Sequence, residues 1–169
     1  MRIDKFTTKF QQALADAQSL AIGSDQQFIE PQHLLLALIN QDDGGTTSLL
    51  ARAGVNVPGL RRDLEQALTR LPKVEGHGGD VSIGRDLGNL LNLTDKEAQK
   101  RGDQFIASEM FLLALGEDKG EAGRLAKQHG LSRKALEAAI MAVRGGQGVD
   151  SQEAEGQRES LKKYCIDLT

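Results

Sequence analysis

The segment QFIEPQHLLLAL at residues 27–38 returns as QFIASEMFLLAL at residues 104–115, 77 positions later. The same offset aligns apolar residues within the segment, at Ile29–Ile106, Leu34–Phe111 and Leu38–Leu115, and also before it, at Phe6–Ile83, Phe10–Leu87, Leu14–Leu91 and Ala21–Ala98. After the following loop the offset falls to 76, as expected from one deletion in a surface loop, and it aligns Leu49–Leu125, Gly54–Gly130, Leu60–Leu136 and Leu64–Ile140. The chain therefore contains two copies of one unit, at about 5–72 and 82–144, which form a pseudo-twofold domain.

Helical periodicity dominates each copy. In the first copy, apolar residues recur every three or four positions and predict an amphipathic helix with Asp4 as its N-cap and Gly23 as its end. Pro31 predicts the start of a second helix that runs to about Asn40, because proline is tolerated in a first turn, where its missing N–H would have no partner. The other two helices predicted in this copy are 48–54 and 59–71.

The domain organisation follows from the repeat. No stretch has the sustained two-residue alternation of a half-buried strand, so the sequence predicts an all-α fold of about eight helices, arranged as two four-helix repeats. We expect one domain over residues 1–144, a glycine-rich connector KVEGHGGD between the repeats, and a linker over 145–169.

Charge and composition exclude several classes of function. The net charge of −3 and the isoelectric point near 5.6 argue against a nucleic-acid partner, because domains that neutralise phosphates are usually basic. The N-terminal sequence has no apolar signal segment, and no apolar run is long enough to span a membrane. The single cysteine, Cys165, permits no intrachain disulfide. We expect a soluble, cytoplasmic protein.

Catalytic, metal and cofactor signals are absent from the sequence. The segment GHGGD at 76–80 follows no strand and resembles no phosphate-binding loop. The histidines are scattered, with no second ligand at metal-binding spacing: His33, His77 and His129. At the start of an apolar helix, His33 is better interpreted as a partly buried, hydrogen-bonded residue than as a ligand or base. Asp42 and Asp43 lie in a turn-rich loop, where capping and solvation explain them. We therefore expect no catalytic residue, no metal site and no cofactor in this chain.

The second helix of each copy has more apolar surface than a surface helix needs, with LLLALI at 34–39 and MFLLAL at 110–115. One interpretation is that these helices are central and covered on every side. The other is that one edge stays open. Leu93 widens the apolar stripe of the helix that contains Leu91, and with Met110 it could form a groove for apolar side chains, with Asp103 and Glu109 near its rim.

These segments carry a family resemblance. The start MRIDKFTTKFQQALADAQSLA, the two QFI…LLAL segments, KRGDQFIASE, RLPKVEGHGGD and the ending AEGQRESLKKYCIDLT together resemble the N-terminal domain of the ClpB family of bacterial AAA+ disaggregases. The similarity extends over essentially the whole chain. It implies two repeats of a four-helix motif packed as a pseudo-dimer, and it implies that residues 145–169 lead towards an ATPase domain that this fragment lacks.

The resemblance also implies a function. Domains of this family bind exposed apolar segments of unfolded or aggregated proteins. We expect such binding to be weak and not sequence-specific, because a shallow groove that buries few side chains must also offset the ordering of a flexible client. The parent is a stress-response chaperone, a homohexameric ring that uses ATP and magnesium and works with the DnaK system. The family's apolar groove corresponds to Leu91, Leu93 and Met110, and its functional polar positions to Thr7, Asp103 and Glu109.

Two alternatives stay open on the sequence. Related domains of ClpA-like and ClpC-like proteins dock dedicated adaptor proteins, so this chain could be an adaptor-docking domain. A small helical enzyme would need converging polar residues, which the sequence does not supply. We expect the fragment to be a monomer with no enzymatic activity, because hexamerisation and ATP hydrolysis would belong to the ATPase domains.

Overall fold

The fold is seen in a computed structural model, which describes residues 3–41, 44–74, 81–145 and 149. A short 3-10 turn at Ile3–Lys5 precedes eight α-helices in the described part of the chain. The helices are α1 (Thr8–Gly23), α2 (Pro31–Ile39), α3 (Gly45–Arg52), α4 (Val57–Thr69), α5 (Arg85–Lys100), α6 (Ser108–Leu115), α7 (Glu121–Gln128) and α8 (Arg133–Arg144). The all-α prediction is confirmed.

The helix boundaries reproduce the sequence repeat. Shifting α1 by 77 positions gives the bounds of α5, and shifting α3 by 76 gives those of α7. Pro31 and Pro58 lie in the first turns of α2 and α4, as their fixed φ favours. The predicted N-cap of α1 is wrong: Asp4 belongs to the 3-10 turn, and the cap is Thr7, whose Oγ1 accepts a hydrogen bond from Phe10 N–H at 3.2 Å.

The core is built around α2 and α6. Every residue of these two helices is buried, so the alternative in which they are covered on all sides is confirmed. Helix α1 packs on α2, and α5 packs on α6. The repeats join through matching contacts, α3 with α8 and α4 with α7. One aromatic pair crosses the interface, Phe10–Phe111 with ring centroids 6.1 Å apart, and Phe6 packs on Phe10 within the first repeat at 4.7 Å.

Two short strands, which the sequence did not predict, exchange partners between the repeats. Strand β1 (Phe28–Ile29) of the first repeat pairs in parallel with β2 (Ser82–Ile83) of the second. The reciprocal pairing is a parallel bridge between Phe6 and Ile106. Two residues are too few to show alternation, and the partners are far apart in sequence. The two pseudo-twofold repeats are therefore intertwined, because each provides a backbone segment that pairs with a segment of the other.

Candidate functional site

The three residues assigned to an apolar groove lie on the packed pair α5 and α6. Leu91 and Met110 are buried, with 1% and 0% of their surface exposed, whereas Leu93 is 37% exposed. Leu91 lies on the stripe of α5 that faces the core, and Met110 lies in the first turn of an enclosed helix. The open groove that the sequence suggested is therefore absent at these residues in this conformation. Only Leu93 is accessible to a partner.

The polar residues predicted at the rim converge instead on one buried arginine. Arg144, the last residue of α8, donates from both terminal nitrogens to the Asp103 carboxylate, at 3.1 and 2.9 Å. A Glu109 oxygen lies 3.8 Å from Arg144 Nη2, and all three side chains are almost fully buried. We call Asp103, Glu109 and Arg144 the acidic–arginine cluster. Both carboxylates therefore contact Arg144 inside the second repeat instead of facing an open groove.

Sequence reasoning missed Arg144, although the repeat contains a signal for it. Asp103 aligns with Gln26 at offset 77, and Arg144 aligns with Leu68 at offset 76. In the first repeat, Gln26 Nε2 donates to the Leu68 backbone oxygen at 2.6 Å, so a neutral contact replaces the ion pair. Both aligned positions are neutral in the first repeat, and they carry opposite charges in the second. Comparing the repeats therefore marks Asp103 and Arg144 as a candidate ion pair.

Thr7 has a structural role at the junction of the repeats. It is fully buried and caps α1, and its own N–H donates to the Ile106 backbone oxygen at 3.0 Å. The structure places Thr7 beside the bridge between Phe6 and Ile106, where both of its polar groups contribute to backbone hydrogen bonding.

A second ionic group joins α8 to α5 and α6. Arg133 forms a bidentate ion pair with Glu97, at 2.9 and 2.8 Å, and also contacts Glu117 and Glu137. The hydrogen bond from Arg133 lowers the pKa of the Glu97 carboxyl, and the same contact raises the pKa of Arg133. The members lie on α5, on α8 and just after α6, and their carboxylates are paired with Arg133, so the group stabilises the packing.

An exposed apolar surface, unforeseen in the sequence, surrounds the strand pair β1–β2. Its exposed side chains are Ile22, Phe28, Val74 and Ile83. Ile83 lies on β2 beside Ile29, and Val74 N–H donates to the Asp25 backbone oxygen at 2.8 Å. We call these four residues the β1 patch. No periodic pattern marks it, because its members come from a helix end, two strands of two residues each and a connector.

His33 is fully buried, which is deeper than predicted, and it is hydrogen-bonded, as predicted. Its Nδ1 accepts from Glu30 N–H at 2.9 Å, so Nε2 carries the proton and donates to Gln26 Oε1 at 2.6 Å. Burial lowers the pKa of His33 to about 4. A neutral imidazole with both nitrogens engaged caps α2 and has no lone pair left for a metal or a substrate.

This pKa predicts a pH-dependent stability. The ordinary pKa of His33 is 6.5, so between pH 6.5 and about 4 the unfolded chain binds a proton that the folded chain excludes. The free energy of unfolding should therefore fall by about 2 kcal/mol from this group alone between pH 7 and pH 5. Urea unfolding of the wild type and of His33→Met at both pH values measures it, since methionine stands at the aligned position 110.

The His33→Met variant separates the effect of His33 from that of Glu30. Burial and the Asp86 carboxylate raise the pKa of Glu30, so protonation of Glu30 on acidification stabilises the folded state, whereas protonation of His33 destabilises it. We expect His33→Met to be less stable at pH 7 but to lose about 2 kcal/mol less than the wild type on acidification. Met141→Ser, which changes an exposed, non-titrating side chain on α8 and keeps His33, is the control and should retain the wild-type change. A His33→Met variant with the same acid loss as the wild type would contradict the assignment.

Other chemistry has little support in the described residues. No group of three or more His, Cys, Asp or Glu side chains in that part of the chain is placed to hold a metal ion. None of its helices combines the length and apolar character needed to cross a membrane. His77, Asp42, Asp43, Cys165 and nearly all of the predicted 145–169 linker lie outside the described residues. Val149, within that linker, is buried against the second repeat.

Comparison with known proteins gives a consistent set of similarities. The family described as "Clp repeat (R) N-terminal domain" matches residues 5–129. The chain is 52% identical, over all 169 residues, to the chaperone protein ClpB of Vibrio cholerae serotype O1, but it spans only 20% of that protein. The crystal structure of the Hsp104 N-terminal domain from Candida albicans superposes with a TM-score of 0.77 at 25% identity, covering 89% of this chain and 98% of that one.

A more distant structure shares the fold alone. The N-terminal domain of the ClpV1 ATPase from the E. coli EAEC Sci1 type VI secretion system has a TM-score of 0.71 at 23% identity, covering 84% of this chain and 87% of that one. The chain thus spans about a fifth of the length of the curated relatives that it matches, over a segment that has the fold of other N-terminal domains.

Proposed function

Because the chain belongs to the Clp repeat (R) N-terminal domain family, we propose that it is the substrate-binding domain of an ATP-dependent protein disaggregase. In this role it binds exposed apolar segments of unfolded or aggregated proteins weakly and passes them to an ATPase ring. The observation that carries the proposal is the 52% identity to ClpB along the entire chain. ATP, magnesium, the homohexameric ring, cooperation with DnaK and a cytoplasmic location belong to the proposed parent protein, and this domain has no enzymatic activity in the proposal.

Leu93 is the proposed point of first contact. It is the accessible member of the three assigned residues, while Leu91 and Met110 lie below the surface. Deeper binding at those two would require α5 and α6 to move apart. A contact that buries few side chains must also offset the ordering of a flexible client, so little net affinity remains. Six such domains on one ring would recover strength through effective concentration.

A titration followed by NMR tests the proposal. The probe is reduced, carboxymethylated α-lactalbumin, which is permanently unfolded. We expect backbone shifts on Leu93 and its neighbours on α5, and an affinity about fivefold lower in Leu93→Ser, since one apolar contact is lost. Met141→Ser is the matched control, because Met141 is 71% exposed on α8 and should not change the affinity.

The outcomes separate the alternatives. Absence of any binding by the wild-type domain would overturn the client-binding function. Docking of a folded adaptor with no affinity for the unfolded probe would favour the adaptor alternative. Binding that survives Leu93→Ser unchanged would remove Leu93 from the site and keep the function.

A further inference from the structure

The two reciprocal strand pairings differ at their outer edges. In the second repeat, the N–H groups of Gln104 and Phe105 both donate to the backbone oxygen of Val149, at 2.8 and 3.1 Å. Val149 N–H donates to Asp103 Oδ1 at 3.2 Å, and Val149 is buried. The chain thus covers this edge with a residue of its own.

The aligned residues in the first repeat are Gln27 and Phe28. Outside the β1–β2 ladder, no described residue accepts a hydrogen bond from either of their backbone N–H groups, and Phe28 is 50% exposed. Within the described part of the chain, the two donors that bind Val149 in the second repeat are therefore uncovered in the first.

The backbone around the two edges is the same. Gly84 N–H donates to the Ile29 oxygen at 3.0 Å, which matches the 3.0 Å bond from Thr7 N–H to the Ile106 oxygen. The preceding turns also match, because Asp25 and Gly102 both have positive φ, at 55° and 73°. Gln27 and Phe28 are therefore held in the orientation that Gln104 and Phe105 use to bind a carbonyl oxygen.

Apolar side chains surround the open edge. The β1 patch contributes Phe28 itself, Ile83 from the neighbouring strand, and Val74 and Ile22 from the adjoining connector and helix end. A strand edge with unpaired N–H groups and exposed apolar neighbours is a template for another extended chain, and soluble proteins usually protect such edges.

We propose that the outer edge of β1 binds one extended segment of an unfolded polypeptide in the way that Val149 covers the second repeat. The backbone oxygen of an aliphatic residue of that segment accepts from both Gln27 N–H and Phe28 N–H, and its side chain packs on the β1 patch. This inference rests on the proposed function and adds a second client site, separate from Leu93.

The difference between the repeats makes this site reversible. Asp103 supplies an extra acceptor to Val149, but its counterpart Gln26 is buried and already bonded to His33 and to the Leu68 oxygen. A client segment on β1 therefore lacks one hydrogen bond that Val149 has, which favours release over permanent occupancy.

Amide hydrogen exchange followed by NMR tests the backbone contact. In the free domain we expect Gln27 and Phe28 N–H to exchange rapidly, and Gln104 and Phe105 N–H to be protected by Val149. With saturating reduced, carboxymethylated α-lactalbumin, exchange at Gln27 and Phe28 should slow at least about fivefold, whereas that at Gln104 and Phe105 stays unchanged.

Phe28→Ala tests the side-chain contact. It should weaken binding of the same probe about tenfold, because an aromatic anchor is lost beside the hydrogen-bonded edge. Met141→Ala is the control. It removes an apolar side chain on α8 that is more exposed than Phe28, and it should bind as the wild type does.

The results distinguish the two proposals. If the wild type binds the probe while Gln27 and Phe28 stay unprotected and Phe28→Ala binds as the wild type does, the β1 site is refuted and client binding stands. If the wild type does not bind the probe, both fail.

Discussion

Replacing Arg144 with methionine is expected to lower the free energy of unfolding by about 3 to 5 kcal/mol, which is the cost of leaving a buried charge without its partner. The Arg144 and Asp103 side chains are both almost fully buried, and their bidentate contact ties α8 to the turn before α6. Because methionine keeps most of the apolar stem of arginine, the lost stability measures the effect of removing the charge. Urea unfolding followed by circular dichroism measures it.

Arg70→Met is the matched control. Arg70 also pairs with a carboxylate, Glu121, but at 3.7 Å and with most of its side chain exposed, so its loss should cost less than about 1 kcal/mol. The double variant Asp103→Asn/Arg144→Met should be more stable than the sum of the single changes predicts, because both charges leave together. An Arg144→Met variant no less stable than Arg70→Met would refute the structural role.

This result bears on how Asp103 and Glu109 are interpreted. Both were predicted from the sequence to lie near the rim of a binding groove, and the family resemblance implied that they are functional polar positions. Both lie within reach of Arg144 in the interior. A binding defect in an Asp103 or Glu109 variant therefore has to be accompanied by a measurement of its stability before it can be assigned to client contact.

Replacing Gly130 with alanine is expected to cost about 3 to 4 kcal/mol of stability, from backbone strain together with a steric clash. Gly130 has a φ of 106°, where a side chain is disfavoured, and an added Cβ would lie 2.8 Å from the backbone oxygen of Gly54. These two glycines are equivalent positions of the two repeats, so the clash would push the repeats apart where they meet. Thermal and urea unfolding both measure the effect.

Gly54→Ala separates strain from clash. Gly54 also has a positive φ, of 89°, but an added Cβ there meets no atom within 4 Å. Only the strain remains, so we expect a loss of about 1 to 2 kcal/mol. Equal losses in the two variants would show that the close approach of the repeats carries no energetic weight.

Much of the fold was predictable because its signals are local. Pro31 and Pro58 mark the starts of α2 and α4, and the periodic apolar residues mark the extent of the helices. Each of these signals depends only on residues a few positions away. The two-residue strands were missed because β1 and β2 are too short to show a pattern. The cap of α1 was misplaced by three residues, since Asp4 and Thr7 are both good capping residues and only the backbone decides between them.

The candidate site was less predictable. The sequence placed Leu91, Leu93 and Met110 on apolar faces, but burial depends on which helix covers which face, and α5 and α6 cover two of the three. Arg144 was overlooked because its partner, Asp103, lies 41 residues away. The β1 patch was overlooked because its four residues come from separate elements.

By itself, the sequence determined the two repeats, the eight helices and the family, since helical periodicity acts between neighbouring residues and the repeat can be read by aligning the chain with itself, without knowing any contact. The tertiary structure decided which apolar residues meet water, which carboxylates share an arginine, and that each repeat completes the other's strand pairing. These outcomes depend on contacts between residues tens of positions apart, whose free energies are set only when the two repeats pack together.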